Sequence, residues 1–131
     1  MRRAVPRLTP EEVRRAGEVL DGYEAAFRAG DTARWGTLNW QFHFTLLAAA
    51  GRPLTLGVAQ TLHTQSERYM RLQLVLTRGE SRASNEHREI LASAAAGYSE
   101  RAAGLLATHI VRAGRSLIEF LRVHRAPPPA A

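Results

Sequence analysis

The sequence predicts an all-α protein, an antiparallel bundle of about five helices. Three observations carry that expectation. Apolar residues recur at intervals of three and four along most of the chain, as one face of a helix requires. Helix-starting and helix-ending residues punctuate the pattern, and the stretches between them are short. Nowhere do apolar and polar residues alternate over the roughly four to eight positions that signal a strand. At 131 residues the chain is long enough for one domain with a real core, expected over residues 9–122.

Residues 1–8 are expected to form a disordered, frayed tail. Thr9-Pro10-Glu11-Glu12 then starts the first helix, with threonine as N-cap, proline at the first helical position and Glu12 placed to close a capping box. Val13, Ala16, Gly17, Leu20, Tyr23 and Phe27 keep a helical period to about Ala29. Gly30-Asp31 breaks it, and Asp31 or Thr32 can cap a second helix over about 33–50, which Gly51 terminates. Pro53 opens a long third helix whose apolar positions include Leu54, Val58, Leu62, Tyr69, Leu72 and Leu76. The polar stretch 77–84 reads as a loop. A fourth helix at about 85–96 shows His87, Ile90, Leu91 and Ala94 on one face. Gly97 ends it, Ser99 can cap a last helix at about 100–122, and residues 123–131 form a Pro/Ala-rich tail.

Composition narrows the chemistry. The chain has no cysteine, which removes disulfides, thiolate metal sites and a cysteine nucleophile. No apolar run reaches the length of a membrane helix, and no hydrophobic segment follows the basic N-terminus, so a cytoplasmic protein is expected. The net charge of +6 rests on eighteen arginines and no lysine. They are scattered, with no run denser than Arg2-Arg3 or Arg14-Arg15, which describes a solvated surface better than a nucleic-acid face.

The histidines are the informative residues. His63 falls in a polar sector and His124 in the basic tail, so both are expected at the surface. His43, His87 and His109 each lie on a stripe that must face the bundle interior, and Asn39 sits one helical turn from His43. Taken singly, each is explained by a hydrogen-bonded core histidine. Together, three imidazoles from three helices can share a divalent cation, and Zn²⁺, Ni²⁺ or Mn²⁺ suits three nitrogens with an amide oxygen and open positions. A metal-dependent enzyme acting on a small acid stays open as an alternative, although His-Glu-x-x-His is absent because Leu91 stands where the second histidine would be. So does a metal-free helical interaction module.

Three motifs in order carry a family resemblance: Asn39-Trp-Gln-Phe-His43, then Glu86-His87-Arg-Glu-Ile90, then Ala103-Gly-Leu-Leu-Ala-Thr-His109. With this set, residues 10–122 resemble the C-terminal effector-binding (FCD, or FadR C-terminal) domain of GntR-family transcriptional regulators. The resemblance implies that Asn39, His43, His87 and His109 ligate a zinc-like metal at the floor of a pocket. It implies that the pocket takes a small organic acid or sugar-acid effector, with Arg71 first, then Arg68 and Tyr69, as the effector-binding residues. A guanidinium fork suits a carboxylate. It also implies a homodimer, with DNA bound only through a winged helix-turn-helix domain that residues 1–30 cannot supply. The first helix expected of the effector domain likewise has no counterpart, which should leave apolar surface exposed. Position 39 carries Asn where Asp is common in the family, a weaker and uncharged ligand. Three neutral histidines would leave a bound ion its full charge and favour an anionic ligand.

Overall fold

The computed structural model of the chain describes residues 1–77 and 81–124, with side chains at 73–77 and 81 left aside. Among the described residues five α-helices follow one another: α1 Pro10–Arg28, α2 Thr32–Ala48, α3 Pro53–Thr77, α4 Ser81–Ala95 and α5 Ser99–Val123. No strand occurs among the described residues, so the expected all-α bundle is the observed one.

Local hydrogen bonds set the helix ends. The Thr9 side chain accepts from the Glu12 N–H at 3.2 Å, and the Glu12 carboxylate accepts from the Thr9 N–H at 2.8 Å, completing the capping box. At the other end of α1, Gly30 takes φ 70°, the Gly30 N–H reaches the Phe27 carbonyl, and the Asp31 N–H reaches the Ala26 carbonyl. This is a Schellman closure, and its left-handed position favours glycine. The Asp31 carboxylate then caps α2 by accepting from the Arg34 N–H at 3.0 Å. Gly97, at φ 75°, closes α4 in the same way, with the Tyr98 N–H bonded to the Ser93 carbonyl.

Packing follows from the buried stripes. Ala16, Leu20, Tyr23 and Ala26 of α1 interlock with Trp35, Phe42 and Leu46 of α2, and Ile90, Ala94, Ala102 and Leu106 extend this core across α4 and α5. Arg88 ties α4 to α1 through Asp21 and Glu24, each at 2.6 Å. The remaining helix, α3, runs beside α2 and touches α5 only lightly. That loose seam leaves room for a cavity.

Two expectations change. Residues 1–8 are not frayed: Val5–Arg7 form a turn of 3₁₀-helix, with Ala4 and Val5 buried and Val5 part of the main core. Two apolar residues flanked by arginines were too short a pattern to read as a docked turn. The fourth helix begins at Ser81 and not near residue 85, because the serines of the presumed loop occupy its first turns. Residues 78–80 and 125–131, most of the second expected tail, lie outside the described residues.

Candidate metal centre

Three helices bring one imidazole each to the same place. On α2, fully buried Phe42 anchors the helix, and this turns the next residue, His43, toward α4 and α5. Its ring lies 4.9 Å from that of His87 and 5.3 Å from that of His109, centroid to centroid. On α4, His87 is 1% exposed, held edge-on against Tyr23 at 5.1 Å and tilted against Phe42 at 4.9 Å. On α5, His109 is buried with its Nε2 3.1 Å from Nε2 of His87. One nitrogen from each of the three lies within 4.8 Å of the others. Ligands placed tetrahedrally at 2.0–2.1 Å from an ion are about 3.3 Å apart, so at most about 1.5 Å of movement closes the widest pair.

The proton positions can be argued. Nδ1 of His109 is 2.7 Å from Oε2 of Glu86, while Oε1 of that carboxylate takes a 3.0 Å bond from Arg112. A carboxylate only accepts, so His109 carries its proton on Nδ1 and turns a lone pair on Nε2 toward His87. His87 therefore donates to it from Nε2, leaving His87 Nδ1 bare. That atom is buried and has no partner among the described residues. A cation between the rings would replace the shared proton and give both Nε2 lone pairs a use. Burial, then the neighbouring His109 and His63, push the His43 pKa down to about 3. Burial, then His43 and His109, likewise hold His87 well below its usual range. Neutral imidazoles are the form that binds metal. Burial pushes the Glu86 carboxyl up, but its hydrogen bonds from His109 and Arg112 outweigh this and leave it lowered. Glu86 thus acts as the orienting carboxylate behind a histidine ligand. Glu86→Gln is expected to weaken zinc affinity about 10- to 100-fold with the helical circular dichroism unchanged; a competition titration against a chromophoric chelator measures it.

Asn39, His43 and His109 also border a cavity of ≈ 300 Å³ between α2, α3 and α5, together with Trp40, His63 and Leu106. A second, polar cleft of ≈ 340 Å³ lies on the Glu86 side of His109, bordered by Arg82, Glu89 and Arg112.

The residues expected to hold an effector, Arg68, Tyr69 and Arg71, lie on α3. Arg68 bonds the Tyr69 hydroxyl at 2.6 Å and lies over that ring at 4.5 Å. Arg71 is half-buried beside Glu67, Nε to Oε1 3.9 Å. None of the three borders either cavity. The α3 face that does so carries Ala59, His63, Ser66 and Met70, spaced four, three and four apart. His63, expected at the surface, stacks on Trp40 at 5.0 Å and is half-buried. Its spacing from Ala59, Ser66 and Met70 was the available signal, hidden because Leu54, Val58 and Leu62 make a more apolar stripe beside it. His124 is exposed, as expected, and stacks on Phe120.

No curated protein and no solved structure matches the chain. A family model described as the FCD domain matches residues 1–112, more than four-fifths of the length. The three histidines that converge in this chain are those the sequence motifs named, and the chain belongs to the FCD domain family, the effector-sensing domain of GntR-type regulators.

Proposed function

We propose that this domain senses a small organic acid through a divalent metal held by His43, His87 and His109, with the Asn39 amide oxygen as a fourth ligand. The observation that carries this is the convergence of three imidazole nitrogens from three helices beside a cavity. Zinc suits such a donor set best, and nickel or manganese are accommodated by the same ligands. When bound, the ion would supply a full positive charge for the acid's carboxylate, since the three imidazoles are neutral. The reading makes the domain a cytoplasmic switch that binds and releases its acid unchanged. DNA recognition belongs, on this reading, to a winged helix-turn-helix outside these residues.

Elemental analysis of untagged protein tests it: about one zinc, nickel or manganese ion per chain is expected. No bound metal after incubation with each of the three ions would sink the proposal in favour of a metal-free module. Product formation from the bound acid would move it to an enzyme.

A homodimer is part of the same reading. Leu54, Val58 and Leu62 form an exposed stripe on α3, 62–87% accessible, and Ile110 and Ile118 are exposed on α5. An exposed apolar stripe of this kind on α3 supports self-association. Sedimentation is expected to give a dimer, and the double variant Leu54→Glu/Val58→Glu a folded monomer. A monomeric parent chain would rule this out.

A further inference from the structure

Among residues 53–72 of α3, whose side chains are described, not one is buried. Helices in proteins draw most of their stability from packing one face, and α3 packs its Ala59, His63, Ser66 and Met70 face only partly. Leu54, Val58 and Leu62, four residues apart, are 62–87% exposed, and Ile110 of α5 is 58% exposed. Leu62 and Ile110 also border the ≈ 300 Å³ cavity. Residues that both line a cavity and meet solvent mark its mouth. The cavity therefore opens between α3 and α5, onto the apolar stripe that Leu54 and Val58 continue.

Charge and size point to what covers this face. Between Arg52 and Glu67 the chain carries no arginine, lysine, aspartate or glutamate. A strongly charged partner finds nothing to pair with there. Two copies that each carry a net charge of +6 repel one another, and an uncharged face is where they approach at least cost. Helices α3 and α5 have 25 residues each, and side by side they offer roughly 700 Å² of face, against about 800 Å² per partner in a stable interface. An isologous pair sets the same face of each copy on the other, so both mouths are covered together.

We infer that a second copy of this chain closes the mouth of the cavity, so that the effector site is complete only in the dimer and its contents exchange with solvent when the copies part. This rests on the sensing and homodimer readings and adds the regulation of that same site. A ligand that favours the closed cavity tightens the dimer by the factor by which dimerisation tightens the ligand.

Two probes read the closure without effector or metal. Trp40 borders the cavity while Trp35 lies in the core, 7% exposed, so a change in acrylamide quenching reports Trp40. The chain has no cysteine, so Ala113→Cys puts a single thiol on the cavity wall, and Arg15→Cys an exposed control on α1. Sedimentation first fixes the dimer dissociation constant. On dilution through it, the quenching slope is expected to rise about twofold, and the A113C thiol to react with a disulfide reagent at least about fivefold faster, with R15C unchanged. Leu54 and Val58 do not border the cavity. The double variant Leu54→Glu/Val58→Glu is expected to give the dilute parent's quenching at high concentration, with its circular dichroism unchanged. Trp40 or the A113C thiol equally accessible in dimer and monomer would overturn the closure and leave the homodimer standing. A parent that is monomeric at every concentration would overturn both. A chain that closes its cavity yet holds no zinc would bring down the sensing reading alone.

Discussion

Chelation of the bound metal is expected to lower the melting temperature by about 10 °C, and His43→Ala to do the same without chelator. A ligand present at about 100 times its dissociation constant stabilises the native state by about 2.7 kcal/mol, which in a domain of this size is a shift of that order. Among the three histidines, His43 gives the cleanest variant. Its residue keeps some exposure at the cavity edge although burial of its ring holds it neutral, whereas His87 is 1% exposed and wedged between Tyr23 and Phe42, so truncation of His87 would also open the core. Losing one of three imidazoles is expected to weaken zinc more than about 100-fold, beyond what loss of a supporting residue does. The metal-free His43→Ala protein should melt within a few degrees of the metal-free parent. Differential scanning calorimetry with and without chelator reads both effects. A variant that keeps zinc at the parent's affinity would remove His43 from the site; a parent indifferent to chelation would remove the metal.

The metal-free protein should also be unusually sensitive to mild acid. His43 and His87 stay neutral in the fold because burial and neighbouring imidazoles lower their pKa, to about 3 for His43. In the unfolded chain both titrate near 6.5. Above that pH neither state binds the proton, and nothing is lost. Below it the unfolded chain takes up protons that the folded chain refuses, so stability falls as pH falls. Each such imidazole removes at most about 1.4 kcal/mol per pH unit once well below 6.5, and the pair roughly 2 kcal/mol between pH 6.5 and 5.5. Glu86 acts in the same direction only at lower pH, as its lowered carboxyl titrates, so this window isolates the imidazoles. Urea unfolding in chelator at pH 7.5, 6.5 and 5.5 is the measurement. A flat profile would contradict the burial described for His43 and His87, and His87→Phe should shallow the slope by less than half, because His63, also lowered by burial, titrates in the same window.

Much of the fold was legible from residues close in sequence. The Thr9–Glu12 capping box, the Gly30 and Gly97 closures and the Asp31 cap each involve groups within about six positions of one another, and all appear where the sequence places them. The core faces of α1, α4 and α5 were readable for the same reason, since one apolar stripe dominates each. What failed locally was a pattern too short or too ambiguous: the docked Val5–Arg7 turn, and the serine-rich start of α4.

The site divides along the same line. His43, His87 and His109 could be nominated because each falls on an inward stripe, and structure adds that they meet. The residues around them were not legible. Glu86 follows His87 directly, and successive residues on a helix point about 100° apart, so Glu86 turns away from the centre and reaches His109 on the next helix. Helix α3 carries two candidate faces, an aliphatic one with Leu54, Val58 and Leu62 and a smaller, more polar one with Ala59, His63, Ser66 and Met70. Hydrophobicity favours burying the first. The fold turns the second toward α2 and α5, leaves Leu54 and Val58 exposed, and so places His63 and not Arg68 or Arg71 beside the cavity. The sequence alone determined the helices, most of their ends and three histidines that needed partners, because these depend on short-range hydrogen bonds and on periodicity; the start of α4 at Ser81 and the Tyr98 cap of α5, where Ser99 was expected, are the exceptions. Only the tertiary structure decided what surrounds those histidines, because the orientation of α3 is set by its packing against two other helices and not by its own residues.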